Sequence, residues 1–202
     1  MLIIPELETV VILVPRAGST SLKRAVLRQY PEAMMLYRHM EADGVPHGYN
    51  RWRRIGFVRH PVDRLWSLYK YLSTFDGPHN RAYIESMQRS VEMDFSEWVV
   101  SNKVVFTQPY DTEGHGRYYP KYAVNHPLPE NEKSQFVYLR PDLGTEIWQF
   151  DDLQGRAWSE LSVMVGHENG PCQPPRPPLS LAAMDHINRF FKWDLLQVAE
   201  ES

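Results

Sequence analysis

The stretch Val11–Leu22, which reads VILVPRAGSTSL, decides the fold of this 202-residue chain. It begins inside a continuous apolar run, Val10–Val14, and such β-branched runs are typical of a central parallel strand that is covered on both faces. Pro15 ends this strand, and from Leu22 onward the apolar positions recur at helical spacing until Pro31. The sequence therefore predicts a strand that passes through a short loop into a helix.

The loop between this strand and this helix has the composition of an anion-binding turn. Gly18 allows a ligand to approach the backbone closely, and hydroxyl groups follow at Ser19, Thr20 and Ser21. A helix N-terminus presents N–H groups and the positive end of the helix dipole to an anion, and Arg16 would lean over it. Because the loop lacks the spacing and the lysine of the Walker motif GxxxxGK[ST], ordinary capping of a helix is the alternative interpretation.

A second stretch, Ile55–Tyr69 (IGFVRHPVDRLWSLY), repeats the pattern of strand, loop and helix. Ile55–Val58 is a short apolar strand that ends at Arg59, whose planar guanidinium suits bidentate recognition of a phosphate. In the helix that follows, the spacing of the apolar residues puts Ser67 on a different face, where it can meet Arg59. Together the two stretches predict a site for a ligand with two separate phosphates.

These residues resemble the sulfotransferases that use 3'-phosphoadenosine 5'-phosphosulfate, in particular their carbohydrate-type branch. The loop Pro15–Leu22 (PRAGSTSL) is similar to the family's 5'-phosphosulfate loop, and Phe57–Tyr69 (FVRHPVDRLWSLY) is similar to its 3'-phosphate motif. The resemblance is strong over residues 10–72 and faint over residues 135–200. It implies that Arg59 and Ser67 hold the 3'-phosphate. It also implies that the 5' side is held by the loop residues Arg16, Ala17, Gly18, Ser19, Thr20 and Ser21.

Two positions depart from the family pattern. Arg16 stands where many members have a lysine that steadies the leaving oxygen, and an arginine remains charged and can also stabilise that developing negative charge. His60 stands where an asparagine or aspartate usually precedes the proline. Arg16 is therefore expected to act in catalysis as well as in binding.

A hydroxyl acceptor needs a general base, and carbohydrate-type relatives often place a histidine ahead of the 3'-phosphate arginine. His39 stands in that position. A histidine of ordinary pKa is neutral enough at cellular pH to accept a proton and then hold it. The other candidates are His47, in the Gly44–Gly48 stretch, and Glu41.

The resemblance implies 3'-phosphoadenosine 5'-phosphosulfate as the cofactor and 3',5'-bisphosphoadenosine as its product, with no metal. The sequence has no cluster of carboxylates, cysteines or histidines with ligand spacing. The implied reaction is transfer of a sulfuryl group to a hydroxyl, on a saccharide by analogy with the family alone. The alternatives are a non-catalytic nucleotide-binding module and a kinase with an atypical phosphate loop.

The composition of the chain limits the classes of protein to which it can belong. With 202 residues, the whole chain (1–202) is expected to be one sulfotransferase-like domain. A net charge of -3 and a pI near 6.2 argue against a nucleic-acid partner. One local basic cluster stands out, formed by Arg51, Arg53, Arg54, Arg59 and Arg64. The single cysteine, Cys172, and the absence of an apolar run of roughly 18 residues predict a cytoplasmic protein without a membrane partner.

Outside the two motifs, the sequence predicts further elements. Asp94 should cap a helix, and residues 108–133 read as a long polar surface loop suited to acceptor binding. Gln135–Leu139 is predicted as a further strand. The fold class expected is α/β, a three-layer P-loop-like sulfotransferase fold with a mainly parallel central sheet.

The C-terminal part of the chain is predicted to be helical. Asp151–Leu153 should enter a helix that carries Trp158, Leu161 and Val165. Ser180 should cap a last helix with one apolar face, formed by Met184, Ile187 and Phe191. The end of that helix, Phe191–Asp194, is similar to the Y-x-x-D close of many sulfotransferases.

Overall fold

The computed structural model describes residues 1–36, 39–76, 80–101, 134–166 and 175–199. Within them five strands form one sheet: β1 (Leu2–Ile4), β2 (Thr9–Ile12), β3 (Met34–Met35), β4 (Arg53–Val58) and β5 (Thr145–Gln149). The strand order is β3-β1-β2-β4-β5. Strand β4 runs parallel to both β2 and β5, whereas β1 runs antiparallel to β2 and β3. The sheet is therefore open and mixed, with its parallel part at β2, β4 and β5.

The described part of the chain also contains α-helices. They are α1 (Ser19–Gln29), α2 (Pro61–Ser73), α3 (Arg81–Arg89), α4 (Phe95–Val100), α5 (Phe136–Leu139), α6 (Leu153–Leu161), α7 (Leu181–Phe190) and α8 (Lys192–Ala199). Short 3-10 turns lie at Pro5–Leu7, Ala42–Gly44, His47–Tyr49, Pro141–Leu143 and Phe150–Asp152. Strands and helices alternate through much of the chain, which confirms the expected α/β class.

Helices cover both faces of the sheet. One face of β1, β2 and β4 packs against α1 and α6, through Leu2, Val11, Ile55, Phe57, Leu22, Val26, Ala157 and Leu161. The opposite face packs against α2, α4, α5 and α7, through Ile3, Val10, Ile12, Val58, Leu65, Trp98, Leu139 and Ile187. Because β2 has a neighbouring strand on each edge and apolar layers on both faces, it needs a continuous apolar sequence. The central strand predicted from Val10–Val14 is thus present, with the bounds of β2.

Several local predictions are confirmed. Helix α1 ends before Pro31, and its buried face includes the predicted Leu22 and Val26. The Asp94 side chain accepts a hydrogen bond from the Glu97 N–H at the start of α4. In the same way, the Ser180 hydroxyl accepts one from the N–H of Ala183 in α7.

The prediction of a strand at Gln135–Leu139 is wrong. Phe136–Leu139 forms the single turn of α5, in which the Gln135 carbonyl accepts hydrogen bonds from the N–H groups of Tyr138 and Leu139. A short buried apolar run has no periodicity that separates a strand from a helix, and the sheet strand comes later, as β5. Leu139 packs so closely on β4 that a Cβ added at Gly56 would overlap with it.

The predicted apolar face of the helix after Asp151 is also partly wrong. Helix α6 ends at Leu161, with Ser162 in the left-handed region, so Val165 lies beyond it. Trp158 is 63% exposed, because the buried stripe of α6 runs through Leu153, Ala157 and Leu161 at intervals of four residues. The helix that Ser180 caps is not the last one, because α7 ends at Phe190 and α8 follows it. On α7 Met184 is half exposed, whereas Ile187 and the residue after the helix, Phe191, are buried as predicted.

The arginines that are clustered in sequence do not form one basic patch. Arg53, at the first position of β4, binds the carboxylates of Glu146 and Glu160. Arg59 follows the last residue of β4, at the opposite end of the strand, and Arg64 is fully buried. The two ends of a six-residue strand are too far apart for side chains at both ends to meet in one site. Only Arg59 and Arg64 can therefore contribute to a site at the carboxyl end of β4.

Some predictions fall outside the described residues. These are the 108–133 loop and Cys172. None of the helices in the described ranges is both long enough and apolar enough to cross a membrane.

Candidate anion-binding site

A cleft lies at the carboxyl ends of β2 and β4, where the β2–α1 loop meets the start of α2. It is lined by Arg16, Gly18, Ser19, Thr20, Ser21, Arg59, Ser67 and Phe150. Parallel neighbouring strands end at the same edge of a sheet, which is why the two sequence motifs meet here. Of these residues only Phe150 was not predicted from the sequence. Ala17, which was predicted, has its side chain buried in the core, and its N–H donates to the Val14 carbonyl.

The loop of the cleft requires left-handed backbone at two positions. Gly18 has a φ of 73° and Arg16 has a φ of 66°. A Cβ at Gly18 would lie 2.7 Å from Leu153 Cδ2 and 2.9 Å from Phe150 Cε2. Glycine is therefore required here by backbone conformation and by packing, because the segment that follows β5 closes over the loop.

The N-terminus of α1 faces this loop. The Gly18 carbonyl accepts the first helical hydrogen bond, from the Leu22 N–H, and no described side chain caps this end of the helix. The N–H groups of a first helical turn have no partner within the helix, and they carry the positive end of its dipole. Together with the hydroxyls of Ser19, Thr20 and Ser21, they give the cleft many donors for an anion.

Arg16 is held in the cleft by two residues of α2. Its Nε and Nη2 atoms donate to the Ser67 hydroxyl oxygen at 3.1 and 3.0 Å, and its guanidinium carbon lies 4.6 Å from the centre of the Tyr71 ring. The pKa of Arg16 is lowered to about 10, mainly by burial and also by the Arg59 charge, against the opposite effect of Tyr71. Arg16 therefore remains a cation at neutral pH.

Arg59 is fixed at both its backbone and its side chain. Its N–H donates to the Gln135 side-chain oxygen at 2.9 Å, and its carbonyl accepts from the Gln135 amide nitrogen at 2.7 Å. Its Nη1 donates to the Arg16 carbonyl at 3.1 Å, and its guanidinium carbon lies 4.6 Å above the Phe150 ring. Burial lowers the pKa of Arg59, while Asp63 and Asp151 raise it.

The sequence predicted that Ser67 would meet Arg59 on an unburied face of the helix. Instead Ser67 is only 3% exposed, and its hydroxyl binds Arg16. Arg59 and Ser67 still line the same cleft, and Arg16 links them, because its carbonyl accepts from one and its side chain donates to the other.

A fully buried ion pair between Arg64 and Asp194 contacts the β2–α1 loop of the cleft. Arg64 donates from Nε to the Pro15 carbonyl at 3.0 Å, and its Nη1 lies 4.0 Å from Asp194 Oδ2. Asp194 Oδ1 accepts from the Ser134 hydroxyl at 2.7 Å and from the Gln135 N–H at 2.9 Å. Burial raises the pKa of Asp194 to about 6, although Arg64 and these hydrogen bonds favour the carboxylate, so it is ionised at neutral pH.

Sequence reasoning assigned no role to Arg64 or Gln135. A signal for Arg64 was available, because it belongs to the second motif, and Asp194 belongs to the C-terminal similarity. Nothing in the local pattern around Gln135 shows that its side chain binds the backbone of Arg59.

The three candidate bases lie in different places. His39 is buried beside the carboxyl end of β2, where its Nδ1 lies 2.8 Å from the Leu13 carbonyl oxygen. This bond places the ring proton on Nδ1 and the lone pair of a neutral ring on Nε2. His47 is exposed in a hollow that it shares with Glu8, which precedes β2, so the length of that strand separates it from the cleft. Among the described residues that line the cleft, neither histidine is found.

Glu41 is unsuited to act as a base at neutral pH. The pKa of Glu41 is raised to about 9, mainly by burial and also by the neighbouring Asp43, against the opposite effect of Arg140. Its carboxyl group is therefore protonated at neutral pH and cannot accept a proton there.

The described ranges contain no group of three or more histidine, cysteine, aspartate or glutamate side chains that could hold a metal ion. Comparisons of the chain with models of protein families, with curated proteins and with solved structures found no match. The function is therefore inferred from the residues and geometry of the cleft.

Replacing Arg64 by methionine should destabilise the fold. The change leaves the Asp194 carboxylate buried without its cation, and we expect the free energy of unfolding in urea to fall by about 3–5 kcal/mol. The double variant Arg64→Met/Asp194→Leu should recover part of this loss, because no buried charge remains. Arg81→Met, at an exposed arginine of α3, is the control and should change little. Equal effects of Arg64→Met and Arg81→Met would show that the buried pair does not hold the loop.

Replacing Glu41 by glutamine should change how stability depends on pH. A folded-state pKa of about 9, above the unfolded value of 4.5, means that the folded state binds this proton more tightly. Stability of the wild type should therefore fall as pH rises between these two values. Melting temperatures measured across the range should show Glu41→Gln gaining on the wild type towards alkaline pH. A difference that is constant with pH would mean that Glu41 titrates normally.

Proposed function

We propose that the protein is a sulfotransferase that uses 3'-phosphoadenosine 5'-phosphosulfate and transfers its sulfuryl group to a hydroxyl of a saccharide. The observation that carries this function is that both phosphate motifs line one cleft, with Arg16, Arg59 and Ser67 in contact through Arg16. A ligand with two phosphates needs two cationic side chains close together and hydrogen-bond donors that are already oriented towards it. The P-loop-like sulfotransferase fold belongs to the same proposal, supported by the adjacent parallel units β2–α1 and β4–α2.

The two phosphates would occupy different parts of the cleft. The first turn of α1, its hydroxyls and Arg16 would hold the 5' side, whereas Arg59 and Ser67 would hold the 3'-phosphate. A serine hydroxyl has one donor and two acceptor lone pairs. Because Arg16 uses Ser67 as an acceptor, the Ser67 O–H remains to donate to a phosphate oxygen. Ala17 would contribute only to the shape of the loop.

The transfer itself needs a base and a stabilised leaving group. The acceptor oxygen forms a bond to sulfur while the bond from sulfur to the bridging oxygen breaks, and the electron pair of that bond stays on the 5'-phosphate of 3',5'-bisphosphoadenosine. The acceptor proton passes to Nε2 of His39, whose tautomer is supported by the contact with the Leu13 carbonyl. Arg16 stabilises the charge that develops on the leaving oxygen. The saccharide acceptor rests on the resemblance to the carbohydrate-type branch.

Calorimetric titration should show that the wild type binds 3',5'-bisphosphoadenosine more tightly than adenosine 5'-monophosphate or ATP with magnesium. Arg59→Ala should weaken binding of the bisphosphate by about 10- to 100-fold, because it removes charge-assisted hydrogen bonds to the 3'-phosphate. Arg51→Ala is the matched control, since Arg51 lies near the opposite end of β4, and it should bind as the wild type does.

Preference for ATP with magnesium would contradict the sulfotransferase and favour the atypical kinase. A folded wild type that binds none of these nucleotides would exclude both enzymes and the nucleotide-binding module.

The catalytic role of His39 is tested by His39→Asn, because an asparagine amide can still donate to the Leu13 carbonyl. With 3'-phosphoadenosine 5'-phosphosulfate and a panel of saccharides, we expect kcat to fall by about 10²- to 10⁴-fold while bisphosphate affinity stays unchanged. His47→Asn should retain full activity. Tight bisphosphate binding without transfer to any acceptor, in the wild type and in both variants, would instead identify a nucleotide-binding module.

A further inference from the structure

Tyr71, which lies outside both sequence motifs, packs on the guanidinium of Arg16. The distance of 4.6 Å from Arg16 Cζ to the ring centre is that of a cation–π contact. Tyr71 follows Ser67 by one helical turn on α2, so the two side chains project from the same face of the helix. Ser67 binds the edge of the guanidinium at 3.1 and 3.0 Å, and the guanidinium carbon lies over the Tyr71 ring. Arg16 is thus held from two directions by one rigid element.

Arg16 needs such support more than an ordinary surface arginine does. Arg16 lies in a loop with left-handed backbone, and the guanidinium of Arg59 donates to the carbonyl oxygen of Arg16. Burial and the Arg59 charge both lower the pKa of Arg16, and the contact with the face of the Tyr71 ring at 4.6 Å favours the cation. Fixing a long arginine side chain also costs rotamer entropy, and contacts that are already formed before the reaction reduce that cost during the transfer.

We propose that Tyr71 is a positioning residue of the transfer site, whose ring holds the guanidinium of Arg16 in the plane in which it meets the leaving oxygen. This role rests on the proposed function. The contacts with Ser67 use Nε and Nη2 and not Nη1. A guanidinium has several donors in one fixed plane, so a hydroxyl and an aromatic ring together can fix its orientation, whereas a lysine ammonium is a rotatable point charge that they would orient less. Tyr71 and Arg16 therefore act as a matched pair.

The contribution of Tyr71 to the fold is small enough for the role to be tested. Tyr71 is 41% exposed, and among the described residues its ring also makes an edge contact with Phe75 at 5.4 Å. Tyr83, on α3, contacts the same Phe75 at 5.9 Å, at 71° between the rings. Tyr83→Leu is therefore a control that removes a similar aromatic contact without touching Arg16.

The test measures kcat, the KM for 3'-phosphoadenosine 5'-phosphosulfate and the melting temperature for Tyr71→Leu, Tyr71→Phe and Tyr83→Leu. Tyr71→Leu should lower kcat by about 5- to 30-fold, because it removes the stack on Arg16. The KM should change less, since the charge on the leaving oxygen is larger in the transition state than in the bound substrate. Tyr71→Phe keeps the ring and should retain nearly full activity, as should Tyr83→Leu. In an Arg16→Ala background, Tyr71→Leu should lower the residual kcat no further, because the cation on which the ring packs is already gone.

Three results would overturn the role of Tyr71 in an active wild type: full activity of Tyr71→Leu, equal losses in Tyr71→Phe and Tyr71→Leu, or an equal loss in Tyr83→Leu. A wild type that neither binds the bisphosphate nor transfers a sulfuryl group would overturn the proposed function itself. The two failures are therefore distinguished by the wild-type measurement.

Discussion

The buried contact between Arg64 and Asp194 is the constraint on which the rest of the site depends. Two charges removed from water are costly unless each finds several partners. Here Arg64 also binds the Pro15 carbonyl, and Asp194 accepts from Ser134 and Gln135. The requirement to satisfy these groups holds together four segments of the chain: the loop after β2, the first turns of α2, the turn that leads into α5, and the start of α8. The value of the pair lies in this geometry, since an apolar replacement of both charges can be as stable.

From this pair, a chain of hydrogen bonds leads to the surface of the cleft. Asp194 accepts from the Gln135 N–H, and the Gln135 side chain binds both the N–H and the carbonyl of Arg59. Arg59 in turn donates to the carbonyl of Arg16. Two partly desolvated cations are thereby kept close together: burial lowers the pKa of both arginines, and the Arg59 charge also lowers that of Arg16. A bound polyanion would relieve the repulsion. Donors that are already oriented contribute most where charge develops during a reaction.

The second constraint on the cleft is the packing of side chains over the β2–α1 loop. The segment after β5 places Phe150 and Leu153 directly against Gly18, and Phe150 also lies under the guanidinium of Arg59. Strand β5 is parallel to β4 and next to it, so its following turn reaches the same edge of the sheet as both motifs. The cleft is therefore formed by three consecutive strands of the parallel part of the sheet, although only two of their loops carry a recognisable motif.

The sequence by itself determined β2, α1, β4 and α2, the caps at Asp94 and Ser180, and nearly all the residues that line the cleft. Each of these depends on neighbours within a few residues, through apolar periodicity, helix capping and the position of glycine and proline. Only the tertiary structure decided that Gln135–Leu139 turns as a helix, that Arg64 is buried on Asp194, and that Ser67 and Tyr71 hold Arg16. It also placed His39 beside the carboxyl end of β2 and His47 towards the opposite end of that strand. Burial of Glu41, which raises the pKa of its carboxyl group, is likewise a tertiary outcome. These outcomes depend on contacts between segments distant in the chain and on the exclusion of water from particular groups, and no local pattern of residues contains that information.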